Sequence, residues 1–383
     1  METTTDSVTR RPSLAHWLSR MLQRHPEIWT AVVLWIASCG FVVMVSKIAT
    51  WEGIGSYHGT ETLCRWDCGW FTTVVEHGYD RQRHADGYVN WPFYPLHPLV
   101  AYPLHHYFNF STARSLVLAS RAALLFAIYG FILLVGDEAA STTEKFMAGS
   151  LVAFNPYIIY GHAGYSEALY FALLTFAFYF AYRKFWVVSG LMGGLASVTR
   201  LVGASFIAPY AMMALPGRDW RKFNRPQLIG LLLCPAGGLA YMAYLYNHTG
   251  DPLAFIHGHA AWVAPFGNPL LAIWEPLHKP HWPRVWAMMV LGGLSATAWL
   301  LRIKKPELGV SLGLAILIAL LGGTWGNELY AMPRYIWWQP PLLFAIYTFL
   351  KRYPVLFPIY LAFDCGLASF MIVGWYTGHS FVV

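Results

Sequence analysis

Apolar runs separated by short polar loops recur from residue 28 to the C-terminus. A helix needs about 20 apolar residues to cross a bilayer, and the first run, 28–48, has that length. The polar, basic segment before it (1–27) carries no small-residue cleavage site, so the run reads as a retained helix rather than a signal peptide. Further runs lie at about 115–136, 146–160, 167–182, 227–246, 285–301, 308–322, 335–350 and 355–375. The stretch 187–215 is too short for two full crossings, yet both its flanks, "YRKFW" and "GRDWRKFNRP", are cationic. Two short helices, or a re-entrant hairpin with "SVTRLVG" at the apex, meet both constraints. Irregular backbone at membrane depth is tolerated only inside protein or beside a watery cavity. The pattern therefore predicts an all-α polytopic protein of about 11 spans, one domain over 1–383.

Charge orients these runs. With Arg10, Arg11, Arg20 and Arg24 inside, most of the 26 Lys and Arg fall in short inner loops, as cytoplasmic loops require. Segment 1–27 is then cytoplasmic, and two long loops, 49–114 and 247–284, lie outside. In the first, Pro92, Pro95 and Pro98 interrupt helical hydrogen bonding. With Trp91, Phe93 and Tyr94 they suit interfacial helices lying along the membrane surface. Histidine is lopsided: of 15, only His16 and His25 fall inside. No topological rule asks for that, so the outer face is the place to look for chemistry.

Composition excludes the soluble classes. Apolar residues make up 57% and charged residues 12%, against about a quarter charged in soluble domains. The +7 net charge is spread through loops and does not form a nucleic-acid-binding face. Five cysteines give no disulfide framework. Cys64 and Cys68 read as plain small residues, with a bridge or a metal pair as the alternative. No repeat of fixed period and no inverted symmetry is visible. Asp364 falls mid-helix, where function and helix packing are both open readings.

The candidate chemistry gathers outside. Asp67 sits in "RWDCGWF" between Trp66 and Cys68, with Trp70 and Phe71 close by. Bulky rings there would build a partly dry pocket, in which a carboxylate is poised to take a proton from a hydroxyl. The plainer reading is an interfacial acid bonded to backbone amides. Arg65, Arg200 and Arg334 fall on the same side, and guanidinium groups grip phosphate oxygens bidentately. Snorkelling explains Arg334 equally well. Glu167 begins a helix, where an acid suits the dipole. Asp251, His257 and His259 follow in "GDPLAFIHGHAAW", a metal pair only if a third ligand exists.

Several stretches together resemble the PIG-V family, the second mannosyltransferase of glycosylphosphatidylinositol anchor assembly, and its shorter bacterial relatives. They are "RWDCGWF…EHGYD" with "NWPFYPLHPL", then "FNPYIIYGHAGYSEALYFAL", "ASVTRLVG", "GDPLAFIHGHAAW" and "YAMPRYIWW". The resemblance implies a GT-C glycosyltransferase fold and a polyprenyl- or dolichyl-phosphate sugar donor. It implies a hexosyltransferase that moves mannose from polyprenyl-phosphate mannose to a hydroxyl on a lipid or glycan acceptor, with inversion. Asp67 matches the essential acid and becomes the general base. Arg200 and Arg334, with Arg65 beside the acid, match the donor-phosphate cations. Trp66, Glu76, His77, Glu167, His257, His259 and Tyr335 fall at motif positions without an assigned role. No cofactor is required, and the resemblance leaves room for a divalent metal without calling for one. The partners implied are the lipid donor, the acceptor and membrane lipids, with no nucleic acid. A bacterial inner membrane with a periplasmic site is expected, or the endoplasmic reticulum if the chain is eukaryotic. One departure is visible: Cys-Gly-Trp follows Asp67 where eukaryotic members usually carry a histidine before the phenylalanine. Two rival readings stand, a lipid-linked sugar flippase or transporter and a non-catalytic subunit binding a polyprenyl lipid.

Overall fold

The computed structural model describes residues 25–136, 141–215, 223–261, 268–321, 329 and 332–379. Most of segment 1–27, expected to be cytoplasmic, residues 262–267 of the expected second outer loop and much of "GRDWRKFNRP" lie outside the described residues. Among those described, regular structure is helical throughout, with no strand. Four helices are long and apolar enough to cross a membrane: α1 (Pro26–Trp51), α4 (Thr112–Leu134), α13 (Trp282–Arg302) and the C-terminal span Pro354–Thr377, whose α-helical part is α17 (Phe357–Thr377).

Against about 11 expected spans, the described residues hold four helices of full spanning length, or five if one bent pair counts as a span. Several expected spans are shorter helices or are broken, each for a local reason. The run 146–160 stops at Ala153 as α5 (Thr142–Ala153), opened by a capping box between Ser141 and Glu144. Pro156 cannot continue the ladder. Asn155 takes over there, accepting from the Tyr157 amide and donating to the Trp337 carbonyl, before a 3-10 turn over Ile158–Gly161. The run 227–246 divides into α9 (Arg225–Leu233) and α10 (Ala236–Thr249), bent by 42°. Pro235 lacks the N–H that would bridge them. The run 335–350 divides into α15 (Met332–Trp337) and α16 (Pro340–Arg352) at the Pro340–Pro341 pair. Stretch 187–215 is a pair of short pieces, α7 (Trp186–Ser197) and α8 (Ile207–Ala214), with Arg200 extended between them and a 3-10 turn at Leu201–Phe206.

Helices α6 (Glu167–Tyr182) and α14 (Pro306–Leu321) have 16 residues each. At 1.5 Å per residue that is about 24 Å, short of a 30 Å hydrocarbon core. Helix α6 is enclosed on nearly all sides, with Phe171, Phe178 and Ala177 fully buried. It lies against α4 and α7. Helix α7 in turn meets α9 and α10 backbone to backbone: a Cβ on Gly190 would strike the Gly230 carbonyl, and one on Gly194 the Leu233 carbonyl. Helix α6 is thus surrounded by protein, whereas α7, α9 and α10 each keep an exposed apolar side (Leu191, Leu232 and Leu239 among them), and the breaks between short helices bring polar groups into the interior. Glu167, Arg200 and Arg334 all sit at such breaks.

Candidate functional site

Asp67 is the first residue of α2 (Asp67–His77), where a carboxylate meets the positive end of the helix dipole. The residue before it, Trp66, has φ 47° and ψ −113°. A bulky side chain in that region costs on the order of 1–3 kcal/mol and persists only when its surroundings force it. Four contacts do so. Trp66 meets Trp375 of α17 edge to face at 4.5 Å. The Asp67 amide donates to the Tyr165 hydroxyl at 3.1 Å, which itself donates to the Arg65 carbonyl at 3.2 Å. Arg65 Nη1 donates to the carbonyls of Trp375 and Tyr376 at 2.6 and 3.0 Å. Finally, Cys64 and Cys68 are joined by a disulfide. The expectation of two plain small cysteines is corrected here: the turn into α2 brings their Cα atoms to 5.1 Å, within bridging range. Arg65 is occupied by the end of α17 and anchors the turn from outside.

What faces Asp67 is a buried run of charge. Arg334 Nη2 donates to Asp67 Oδ2 at 2.8 Å and to the Tyr335 hydroxyl at 2.9 Å. Its Nε lies 3.8 Å from Glu167 Oε1. Arg200 Nη1 approaches the same oxygen at 2.7 Å and donates to Ser166 Oγ at 3.3 Å. Side-chain exposure is 6% for Glu167, 8% for Arg334, 16% for Arg200 and 23% for Asp67, so the acid nearest the opening is Asp67. Two guanidinium groups and two carboxylates make the cluster neutral, which is how such a group survives burial at all. The rings complete it: Arg334 lies over Tyr335, Tyr160 and Tyr165 at 4.9 to 5.6 Å, and Arg200 over Tyr335 at 5.0 Å.

The hydrogen-bonding capacity is not used up. Nε and Nη1 of Arg334 and both Glu167 oxygens are buried without a hydrogen-bond partner. Arg200 and Glu167, 2.7 Å apart, are held as an ion pair. Orphaned guanidinium N–H groups beside a half-open carboxylate are groups waiting for an acceptor.

Other residues singled out in the sequence lie elsewhere. Glu76 and His77 close α2, about 14 Å along the axis from Asp67. There Glu76 accepts from Thr112 Oγ1 at 2.6 Å. His257, on α11 (Ala254–His259), pairs with Asp251 at 2.6 Å on the surface, and Arg83 donates to its carbonyl at 2.7 Å. That bond with His257 holds the Asp251 carboxyl below its ordinary value. His259 is exposed at the end of the same helix, within electrostatic range of Asp67 and Arg334. Partial desolvation by the protein around it lowers its imidazole from the usual range, Asp67 opposes that and Arg334 adds to it. Among the described residues no group of three or more His, Cys, Asp or Glu is placed to hold a metal ion. Asp364 is buried mid-helix in α17 beside Tyr360, three turns before Trp375.

Ser166, Tyr160, Tyr165 and Trp375 were not singled out by the sequence. "GYSE" was the one available signal, since it places Tyr165 and Ser166 immediately before Glu167. Also unforeseen is His97, on α3 (Leu96–His106) of the first long loop. It is fully buried, edge-on to Phe71, and within 3.1 Å of the Gly164 carbonyl. A carbonyl only accepts, so Nε2 carries the proton and Nδ1 is left without a partner. Burial pushes this imidazole down to about 4.

No protein-family model matches the chain. No curated protein matches it either. Among solved structures it is similar to the oligosaccharyltransferase of Archaeoglobus fulgidus in three states. The apo form is 12% identical over 92% of this chain and 55% of that one, with a TM-score of 0.48. The form with Zn and sulfate is 13% identical over 90% and 53%, at 0.45. The complex with an inhibitory peptide and a dolichol-phosphate is 12% identical over 94% and 56%, at 0.45. The chain thus spans about half the length of the structures it matches. At that identity and TM-score, residue roles rest on this chain's own geometry.

Proposed function

We propose that this chain is a membrane glycosyltransferase of the GT-C type that moves a mannose from polyprenyl-phosphate mannose to an acceptor hydroxyl at the outer face. The observation that carries the reading is the buried Asp67–Arg334–Glu167–Arg200 cluster with unused guanidinium N–H groups. The resemblance to PIG-V supplies the sugar and the lipid. The acceptor oxygen attacks the anomeric carbon from the face opposite the phosphate, and the acceptor proton passes to Asp67. The bond from the anomeric carbon to the phosphate oxygen breaks, and its electron pair leaves with the lipid phosphate. One displacement inverts the anomeric centre. Arg200 and Arg334 stabilise the departing phosphate, which needs charge more than a proton.

In the free protein Arg334 is bound to Asp67, which holds the base in an ion pair. The donor phosphate and Asp67 then compete for one guanidinium, so donor binding loosens the carboxylate just when it is needed. Glu167 stays between the two arginines as their permanent counter-ion. The disulfide beside Asp67 fits an oxidising compartment, as the outer face of a bacterial inner membrane provides.

The test is to incubate purified protein with labelled polyprenyl-phosphate mannose and membrane lipids, then identify the labelled product. Transfer that vanishes in Asp67→Asn while donor binding persists supports the enzyme. An Asp67→Asn variant that transfers as fast as the wild type removes Asp67 as the base, and a wild type that yields no labelled product leaves the flippase or scaffold reading standing instead.

A further inference from the structure

Away from the charged cluster, α13, α16 and α17 part to leave an apolar cleft of about 570 Å³. Its walls include Ala296 and Trp299 from α13, Ile346 and Phe349 from α16, and Ile359 and Phe363 from α17, with no charged side chain among the lining residues. Trp375, beside Asp67, stands 12 to 16 residues further along α17 than Ile359 and Phe363, roughly 20 Å along the helix. The cleft is a separate place.

The register of its walls is fixed. Trp299 Nε1 donates to Thr348 Oγ1 at 3.0 Å, and the Trp299 ring meets Phe349 edge to face. Arg302 is three residues beyond Trp299 and Arg352 three beyond Phe349, so each lies on the cleft-facing side of its helix, one turn on. Both helices end there. Lys351 is held by Glu144 at 3.0 Å, whereas Arg302 and Arg352 are exposed and form no ion pair among the described residues. Two guanidinium groups without an ion-pair partner therefore end two of the helices that wall the slot, Arg352 lying over the Tyr353 ring at 5.8 Å.

We propose that this cleft binds an anionic phospholipid, with one acyl chain between α13, α16 and α17 and the phosphate on Arg302 and Arg352. A hydrocarbon chain matches walls that offer no polar partner. A net negative headgroup matches the two arginines. A second copy of this chain would bring its own Arg302 and Arg352 against the same pair, like charge on like. A zwitterionic lipid would bring a cation beside them. The site is independent of the catalytic reading and stands if that reading fails.

Trp299 is a reporter built into the wall. The protein is reconstituted in phosphatidylcholine nanodiscs containing either brominated-acyl phosphatidylglycerol or brominated-acyl phosphatidylcholine. The Trp299 contribution is taken as wild type minus Trp299→Phe. Phosphatidylglycerol should quench it at roughly thirtyfold lower mole fraction, the scale set by two surface arginines. Arg302→Gln with Arg352→Gln should erase the preference, and Ala296→Phe, which fills the cleft without changing charge, should remove saturable quenching. Glycerol phosphate added in water should leave the quenching unchanged; displacement by it would mean a phosphate site without a lipid and overturn the proposal. Equal quenching by both lipids overturns it as well. Because Trp299→Phe breaks the bond to Thr348, lipid retention is also counted by native mass spectrometry. Wild type should keep phosphatidylglycerol that the double arginine variant loses, and equal retention sinks the idea.

Discussion

Two carboxylates with a basic partner at similar distances, Asp67–Arg334 at 2.8 Å and Asp251–His257 at 2.6 Å, behave as opposites. The second is on the surface, with both side chains more than a third exposed. Water screens it, and such pairs contribute about 0–1 kcal/mol. The first is enclosed by Tyr160, Tyr165, Tyr335 and a second ion pair, and there the loss of one partner strands a charge. Distance alone says nothing about function. What separates the pairs is whether solvent can replace the partner.

The largest effect expected is from Arg334→Gln, which leaves Asp67 and Glu167 facing each other in a buried site. Stability should fall by about 3–5 kcal/mol, read as a lower melting temperature in detergent, and polyprenyl-phosphate binding should vanish. If the variant binds the lipid normally, the phosphate assignment is wrong. Asp67→Asn comes next. Transfer should drop by about 10²–10⁴, while affinity for polyprenyl phosphate rises, since Arg334 loses its internal competitor. Unchanged affinity in a folded variant would dismiss the competition between phosphate and carboxylate.

His97 gives a pH test. Its folded-state value near 4 lies below the ordinary 6.5, so the unfolded chain binds the proton more readily. Stability is then fully present above pH 6.5 and declines as pH falls toward 4, by roughly 3 kcal/mol at most. His97→Gln keeps a donor for Gly164 and should flatten that acid limb of the melting curve. A wild-type curve without the decline would show that the imidazole is not enclosed as described. The smallest effect belongs to Asp251→Asn. Asp251 is held below its ordinary 3.8, so its contribution is present above that value and fades as pH drops through the lower folded one. At neutral pH the variant should melt within about 0.5 kcal/mol of wild type and transfer sugar at a similar rate. A large loss of transfer would bring the second long loop into the site.

Much of the candidate site was legible because its members sit in unusual local company. Asp67 among tryptophans, Glu167 opening a helix, and Arg200 in a stretch too short to be two spans each conflict with a purely apolar pattern. Arg334 was legible too, though snorkelling explained it equally well until its buried partners were known. Arg65 shows the limit: beside Asp67 in the chain, its guanidinium reaches the carbonyls at the end of α17 instead. Span lengths were overestimated for a related reason. Hydropathy registers how greasy a run is, but Pro156, Pro235 and Pro340–Pro341 end helices whose two halves are equally apolar.

The sequence by itself determined that the chain is apolar, helical and interrupted, and which ionisable residues stand at the interruptions, because these depend on local composition and on proline's missing N–H. Only the tertiary structure decided which of those residues meet. The partners of Asp67 are 98 and 267 residues away in the chain, and an ion pair of that separation depends on helix packing that no local pattern encodes. The Cys64–Cys68 bridge was decided there too, although its ends are neighbours, because it required the left-handed turn at Trp66 that Trp375 holds in place.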